Sequence, residues 1–502
     1  MVHMRHIRDR RSSVAATAAG LLTVVLVAAT GCSGSHSGSA GSAQAPSPRG
    51  QRPGLGTQDG AGPDVDAQRE PRSTFAIDID NASYNFARRQ ILDGRRPDRT
   101  LIRPEEFVNA FRQDFAQPSG DGFAVSADGS RLPRGHEAAG GADTRLLRVG
   151  LQTRAEDPDR RRDAALTFVV DVSGSMSEPG RLDLVQDALH TLVDQLRDTD
   201  SVAIVAYEAN ARVLREMTSL RSRSALHSAI DDLETGGATN LEDGLVKGYR
   251  TARDGFRSGA TNRVILLSDG LANVGNTSAD PILRQIREEA AKQISLLGVG
   301  VGSEYGDELM ERLADQGDGF VTYVSDRDQA RRLFVSQLPA TLAVRARDAK
   351  VQVTFDPSTV VSYRLVGYEN RTLNAEEFRD DRVDGGEVGP GHSATALYVV
   401  RLRGTATGRV AEARVRWLDP SGSEAQEKAT TLAVADLDGD FAGASPRLRV
   451  CYAAAYFAES LRRSSYGGEV RLPDLAAVAE DAFRSTEDPQ VAELATLIRK
   501  SA

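Results

Sequence analysis

The chain has 502 residues, 40% of them hydrophobic and 26% charged, enough for two to four domains that each bury a core. Its formal net charge of −9 sets it against phosphate backbones, so nucleic acid is not an expected partner. The sequence contains only two cysteines, Cys32 and Cys451, which excludes a disulfide framework and leaves packed cores to supply the stability.

Met1–Arg11 carries Arg5, Arg8, Arg10 and Arg11 and runs into an apolar or small stretch from Val14 to Ala29. About 15 apolar residues are too few for a comfortable bilayer span, so the segment reads as an export signal. Leu26-Val-Ala-Ala-Thr-Gly-Cys32 resembles the bacterial lipobox, which implies a lipoprotein signal peptide over 1–31 and lipidation of Cys32. The protein would then be extracytoplasmic and lipid-anchored to the bacterial cell membrane. Loss of Met1–Gly31 removes four Arg and Asp9 and takes the formal charge from −9 to −12. Residues 32–71 are mostly Ser, Gly, Ala, Pro and Gln, cannot form a core, and are expected to be a disordered tether. Its length would hold the folded part on the order of 35 Å from the head groups.

An N-terminal helical segment is expected over 72–118. Ser73–Asp80 alternates as a strand, a helix follows from about Asn81 to Leu92, and a second opens at Pro104 with Glu105 and Glu106 in its first turn. Asp78 and Asp80 are expected on a solvated face or at a helix cap. Residues 119–164 read as a Gly-rich linker with a lone strand, Leu146–Leu151. That strand directly precedes an α/β pattern and would pair with the β domain that follows it, because a lone strand has unsatisfied edges.

From 165 to 342, apolar runs at Leu166–Val170, Val202–Ala206, Val264–Leu267, Ile294–Val301 and Phe320–Val324 alternate with amphipathic segments. This predicts a parallel sheet with helices on both faces. Residues 345–437 hold strand-like runs and no convincing helix, the pattern of an antiparallel β-sandwich, and 445–502 is helical by period. Cys451 falls at a small core position of that helical part.

In an open parallel sheet the ligand site lies beyond the carboxyl ends of the strands. Three loops qualify: Asp171-Val-Ser173-Gly-Ser175, Gly236-Gly-Ala-Thr239-Asn240, and Ser268-Asp269-Gly270. Asp171, Ser173, Ser175, Thr239 and Asp269 offer only hard oxygen donors, which suits Mg2+, with Mn2+ or Ca2+ as alternatives, and does not suit zinc. Thr239-x-x-Glu242 also has the spacing of a capping box.

These three loops, in this order and each after a strand or before a helix, resemble the metal-ion-dependent adhesion site of von Willebrand factor A (VWA) domains. Ser73–Tyr84, Tyr363–Arg371 and Gly391–Tyr398 are similar to segments of the YfbK-type bacterial VWA lipoproteins. The resemblance implies a Rossmann-like VWA domain inserted into or flanked by an antiparallel β-sandwich, with helical N- and C-terminal segments. It implies metal contact through the hydroxyls of Ser173, Ser175 and Thr239, with Asp171 and Asp269 direct or through water. The sequence departs from the family in having Leu241, Glu242 and Asp243 where small residues are usual, which places extra negative charge near the ion.

Two motifs fail. Gly298-Val-Gly-Val-Gly302 lacks the third glycine of a dinucleotide fingerprint, and Asp436-Leu-Asp438-Gly-Asp440 has Phe441 and Arg447 where a calcium loop needs Gly and Glu. No histidine has metalloprotease spacing, and His190 sits on the polar face of its helix. No nucleophile with a base lies near the three loops, so the expected function is not enzymatic. It is an adhesion module whose metal captures an Asp or Glu carboxylate of a protein partner. The alternatives are an envelope scaffold with a non-essential metal, or an uncharacterised hydrolase.

Overall fold

The computed structural model describes residues 61–133, 136, 143–155, 161–269, 284, 286–289, 292–302, 313, 320–324, 326–331, 333–334, 345–383, 385–419 and 424–502. Cys32 and the export segment lie outside them.

In chain order the strands are β1 (Val65–Asp66), β2 (Arg72–Ala76), β3 (Phe123–Arg131), β4 (Thr144–Thr153), β5 (Ala164–Asp171), β6 (Ser201–Tyr207), β7 (Ala211–Ser219), β8 (Thr261–Ser268), β9 (Ile294–Val301) and β10 (Phe320–Val324). They continue as β11 (Ala346–Phe355), β12 (Val360–Val366), β13 (Thr372–Leu373), β14 (Gly386–Val388), β15 (Ser393–Leu402), β16 (Arg409–Leu418) and β17 (Ala425–Ala433). The helices used below are α1 (Ala82–Leu92), α2 (Pro104–Asn109), α3 (Leu182–Gln195), α4 (Arg223–Asp231) and α5 (Leu241–Asp254).

The α/β domain is a sheet of order β10-β9-β8-β5-β6-β7, parallel except for β7. Its central strands are almost wholly buried and mostly apolar because both faces are covered. Leu166, Phe168 and Val170 pack under α3 and α4, while Val169, Val205, Val264 and Leu266 pack under α5. The antiparallel β7 carries Arg212, Arg215 and Glu216 among half-buried positions, the composition of an edge strand, and shows no apolar run in the sequence.

The other two sheets, β1-β12-β15-β4-β3 and β13-β2-β11-β16-β17, form the sandwich. Leu147, Val149, Leu151, Ala396, Tyr398 and Val400 meet Val351, Val353, Ala413 and Val415 in its core. The alternate residues Leu146, Leu397 and Val399 face the opposite way and pack against the helix Pro446–Arg462 and its neighbours Leu472–Thr486 and Pro489–Ser501. Period-two alternation therefore fills two cores from one sheet. Cys451 is fully buried there, as its spacing predicts, and burial pushes its thiol above the usual range.

The strand expected over Leu146–Leu151 is β4, which pairs along its length with β15, Leu147 opposite Tyr398. The α/β domain leaves the sandwich after β4 and returns at β11, so it is an insertion in the sandwich's chain. Three expectations need correction. A tether reaching 71 is too long: Val65 pairs with Tyr363 and Ala67 is fully buried, so residues 61–71 belong to the sandwich. The Gly-rich linker of 119–164 contains β3, an edge strand whose sequence FAVSADGSR turns Phe123, Val125 and Ala127 to the core and is otherwise polar and mostly half-buried. Gly129 in it lies where an added Cβ would come 2.2 Å from Leu437 and 2.4 Å from the Leu146 carbonyl, a close approach that only glycine permits. Asp78 and Asp80 are not solvated: both are buried, Asp80 Oδ1 accepts from the Val321 amide at 3.1 Å, and Arg371 bonds Asp78 at 3.3 Å. They join the N-terminal segment to β10 and to the turn after β12.

Candidate metal centre at the carboxyl ends of the parallel strands

Strands β5 and β8 are parallel neighbours, with Val170 opposite Leu267, so Asp171 and the Ser268-Asp269 pair leave the sheet side by side. Asp171 is fully buried. Its Oδ1 accepts from the Ser173 amide at 2.9 Å, and its Oδ2 accepts from the Ser268 hydroxyl at 2.8 Å and the Tyr207 hydroxyl at 3.2 Å. Burial raises its carboxyl above the ordinary range, the bonds from Ser173 and Ser268 pull it back, and nearby Asp269 adds to the rise.

The second loop is stitched to the first by backbone: the Gly236 amide donates to the Val172 carbonyl at 2.7 Å and the Gly174 amide to the Gly237 carbonyl at 3.1 Å. Gly237 has φ +65° and a Cβ there would lie 2.2 Å from Glu208 Oε2, so this position requires glycine. Thr239 follows at 2% exposure. The rival capping role does not fall to it, because the N-cap of α5 is Asn240, whose side chain accepts from the Asp243 amide at 3.2 Å. Asp243 is turned to the β6–β7 connection, where its carboxylate accepts from the Ala211 amide at 2.5 Å, so this extra charge is spent on a turn.

The hydroxyls of Ser173 and Ser175 lie 3.1 Å apart. Asp269 is 1% exposed, and its two oxygens differ: Oδ2 accepts from Arg181 Nη1 at 2.6 Å, whereas Oδ1 is buried with no hydrogen-bond partner among the described residues. Arg181, 2% exposed just before α3, also donates to the Ser175 carbonyl at 3.0 Å and pairs with Glu178 at 2.8 Å. Gly302, at φ +98°, makes room for it, since a Cβ there would stand 2.9 Å from Arg181 Nε. Sequence reading misses Arg181 altogether. A single arginine in the turn Pro179-Gly-Arg181 has no periodicity to mark it, and only its spacing of six after Ser175 could draw notice.

The structure therefore gathers all three predicted loops at one end of the sheet. The donor set is oxygen alone, two carboxylates and three hydroxyls, chemistry that fits a hard dication. Among the described residues no group of three or more His, Cys, Asp or Glu side chains is assembled to hold a metal, so a cation here would depend on the hydroxyls. The unpartnered Oδ1 of Asp269 is the group such a cation would satisfy.

Comparison with known proteins places this geometry in a family. A von Willebrand factor type A domain model matches residues 165–336, a model described as the C-terminal part of the uncharacterized protein YfbK matches 340–414, and one described as von Willebrand factor matches 60–138. The uncharacterized protein YfbK of Escherichia coli K12 is 30% identical over 450 residues, covering 84% of this chain and 76% of that protein. The chain belongs to the YfbK family of VWA proteins. This YfbK-family chain is also 27% identical over 174 residues to the human inter-alpha-trypsin inhibitor heavy chain H3, spanning 33% of the chain and about a fifth of that protein, 19%. A solved structure, a von Willebrand factor type A protein from Catenulispora acidiphila, is 18% identical with a TM-score of 0.46 and covers 76% of this chain and 91% of that one. The YfbK-family match joins the sandwich and the α/β insertion in one relative.

Proposed function

We propose that this YfbK-family protein is a non-enzymatic protein-binding module displayed outside the cytoplasmic membrane on a lipid at Cys32, and that it captures a carboxylate of its partner through Mg2+ held by Asp171, Ser173, Ser175, Thr239 and Asp269. The observation that carries this is the buried Oδ1 of Asp269, without a hydrogen-bond partner among the described residues, at the strand ends that also carry the paired Ser173 and Ser175 hydroxyls. When bound, the dication would supply open coordination positions that an Asp or Glu side chain can fill.

The chain's own residues do the rest. Arg181 holds Asp269 by one oxygen and leaves the other for a ligand. The Ser173 amide and Ser268 hydroxyl fix Asp171, and the backbone bonds at Gly236 and Gly174 keep the second loop against the first. Such preorganisation lowers the cost of assembling the site. The net negative charge argues against nucleic acid as partner.

The observation favouring the alternative, an envelope scaffold with a non-essential metal, is the same Arg181, which already neutralises one carboxylate. Partner capture separates the readings. Envelope proteins retained in millimolar Mg2+ should be released by EDTA and should not be retained by Asp171→Ala or Thr239→Ala protein of unchanged circular dichroism. Equal retention in all four conditions identifies the scaffold. For the anchor, Cys32→Ala should accumulate as unprocessed precursor, and wild type should partition into detergent; wild type in the water phase rejects lipidation.

A further inference from the structure

Helices α3 and α4 lie side by side on one face of the α/β domain, and each turns a histidine toward the other. His190 Nδ1 and His227 Nδ1 are 2.7 Å apart. The ring planes differ by 16° and the ring centroids are 5.0 Å apart. The centroid separation exceeds the nitrogen separation by about two ring radii, so the rings meet edge to edge with both nitrogens on the line between their centres. They are not stacked face to face. At the far side of each ring, Nε2 meets a carboxylate oxygen, His190 to Asp231 at 3.2 Å and His227 to Asp194 at 3.1 Å.

A carboxylate only accepts, so it holds the proton on Nε2 and leaves the lone pair on Nδ1. Two facing Nδ1 atoms at this distance have room for one proton between them, not two. A carboxylate behind the imidazole, with the lone pair of the other nitrogen free in front, is how metal-ligating histidines are held. We propose that His190 and His227 form a second, surface metal site for a borderline divalent ion such as Zn2+, Cu2+ or Ni2+, with Asp231 and Asp194 as the supporting carboxylates and water completing the shell.

Zinc–nitrogen bonds of about 2.0–2.1 Å at a tetrahedral angle put the nitrogens roughly 3.3 Å apart, so the rings need to part by less than about 1 Å and each to turn by about 35° from the present head-on line. The side chains are 31% and 29% exposed, which leaves them free to do so and open to solvent ligands. Imidazole selects this class of ion over magnesium, so the site is chemically separate from the oxygen-only loops. No sequence motif marks it, because the two histidines lie 37 residues apart and only the packing of α3 on α4 brings them together. Bound metal would clamp the two helices.

The test is calorimetric titration of the purified protein with Zn2+ in saturating millimolar Mg2+, which keeps zinc from the oxygen site. Wild type should show a saturable zinc site that is weakened at least tenfold in His190→Gln and in His227→Gln and is retained in Asp171→Ala. Zinc should also raise the melting temperature of wild type and not of either histidine variant. Zinc bound equally by wild type and the histidine variants, or no saturable binding by wild type, overturns the proposal.

Discussion

Asp269 and Glu105 are each 1% exposed and each keeps carboxylate oxygen without a hydrogen-bond partner among the described residues, yet their surroundings are opposite in sign. Asp269 has the guanidinium of Arg181 at 2.6 Å. Glu105, at the start of α2, is pushed up to about 8 by burial first and then by the negative charges of Glu369 and Asp78. An opposite charge beside a buried carboxylate favours its charged form, and further carboxylates favour the protonated one. The strand-end loops set a guanidinium beside the open oxygen of Asp269, whereas the pocket around α2 sets further carboxylates beside Glu105.

The comparison is broken most forcefully at Arg181. Arg181→Ala leaves Asp269 buried and unpaired and should cost about 3–5 kcal/mol of stability in denaturant titration. Added Mg2+ should restore more stability to this variant than to wild type, because the ion would replace the lost charge.

Glu105 has an effect of similar size. Its folded form holds a proton up to about pH 8 while its ordinary value is 4.5, so the native state binds more protons between those limits. Its contribution is therefore best below about pH 4.5, falls as pH rises toward 8 and is level beyond, a swing on the order of 5 kcal/mol. Glu105→Gln should flatten that part of the pH–stability curve; an unchanged slope would show that Glu105 is not the group responsible.

Two smaller effects address the loop itself. Gly237→Ala forces a side chain into φ +65° against Glu208 and should cost about 1–2 kcal/mol. Asn240→Ala should cost about 1 kcal/mol through loss of the α5 cap, and Thr239→Ala should leave that cap intact. If Thr239→Ala destabilises as much as Asn240→Ala, the capping role belongs to Thr239 after all.

Much of this is legible in the sequence wherever burial imposes a pattern. The strands at Leu166–Val170 and Val264–Leu267 are nearly continuous apolar runs because both sheet faces are covered, and the loops after them carry the candidate site. The pairing of Leu146–Leu151 follows from the unsatisfied edges of an isolated strand, and β15 supplies its partner. Edge strands escape: β3 and β7 are half-buried and carry no strong alternation. Long-range partners escape as well. Arg181 acquires its meaning only from Asp269, 88 residues on, and His190 only from His227, which no local period can reveal. Asp78 and Asp80 escape for the same reason, since Arg371 and the Val321 amide reach them from distant segments.

The most direct test of the central claim is isothermal titration of the purified protein with Mg2+, repeated with Mn2+ followed by electron paramagnetic resonance. One saturable site should appear in wild type and be lost in Asp171→Ala and in Thr239→Ala, both folded by circular dichroism. Absence of saturable binding in wild type at millimolar Mg2+, or equal binding by the variants, would contradict it.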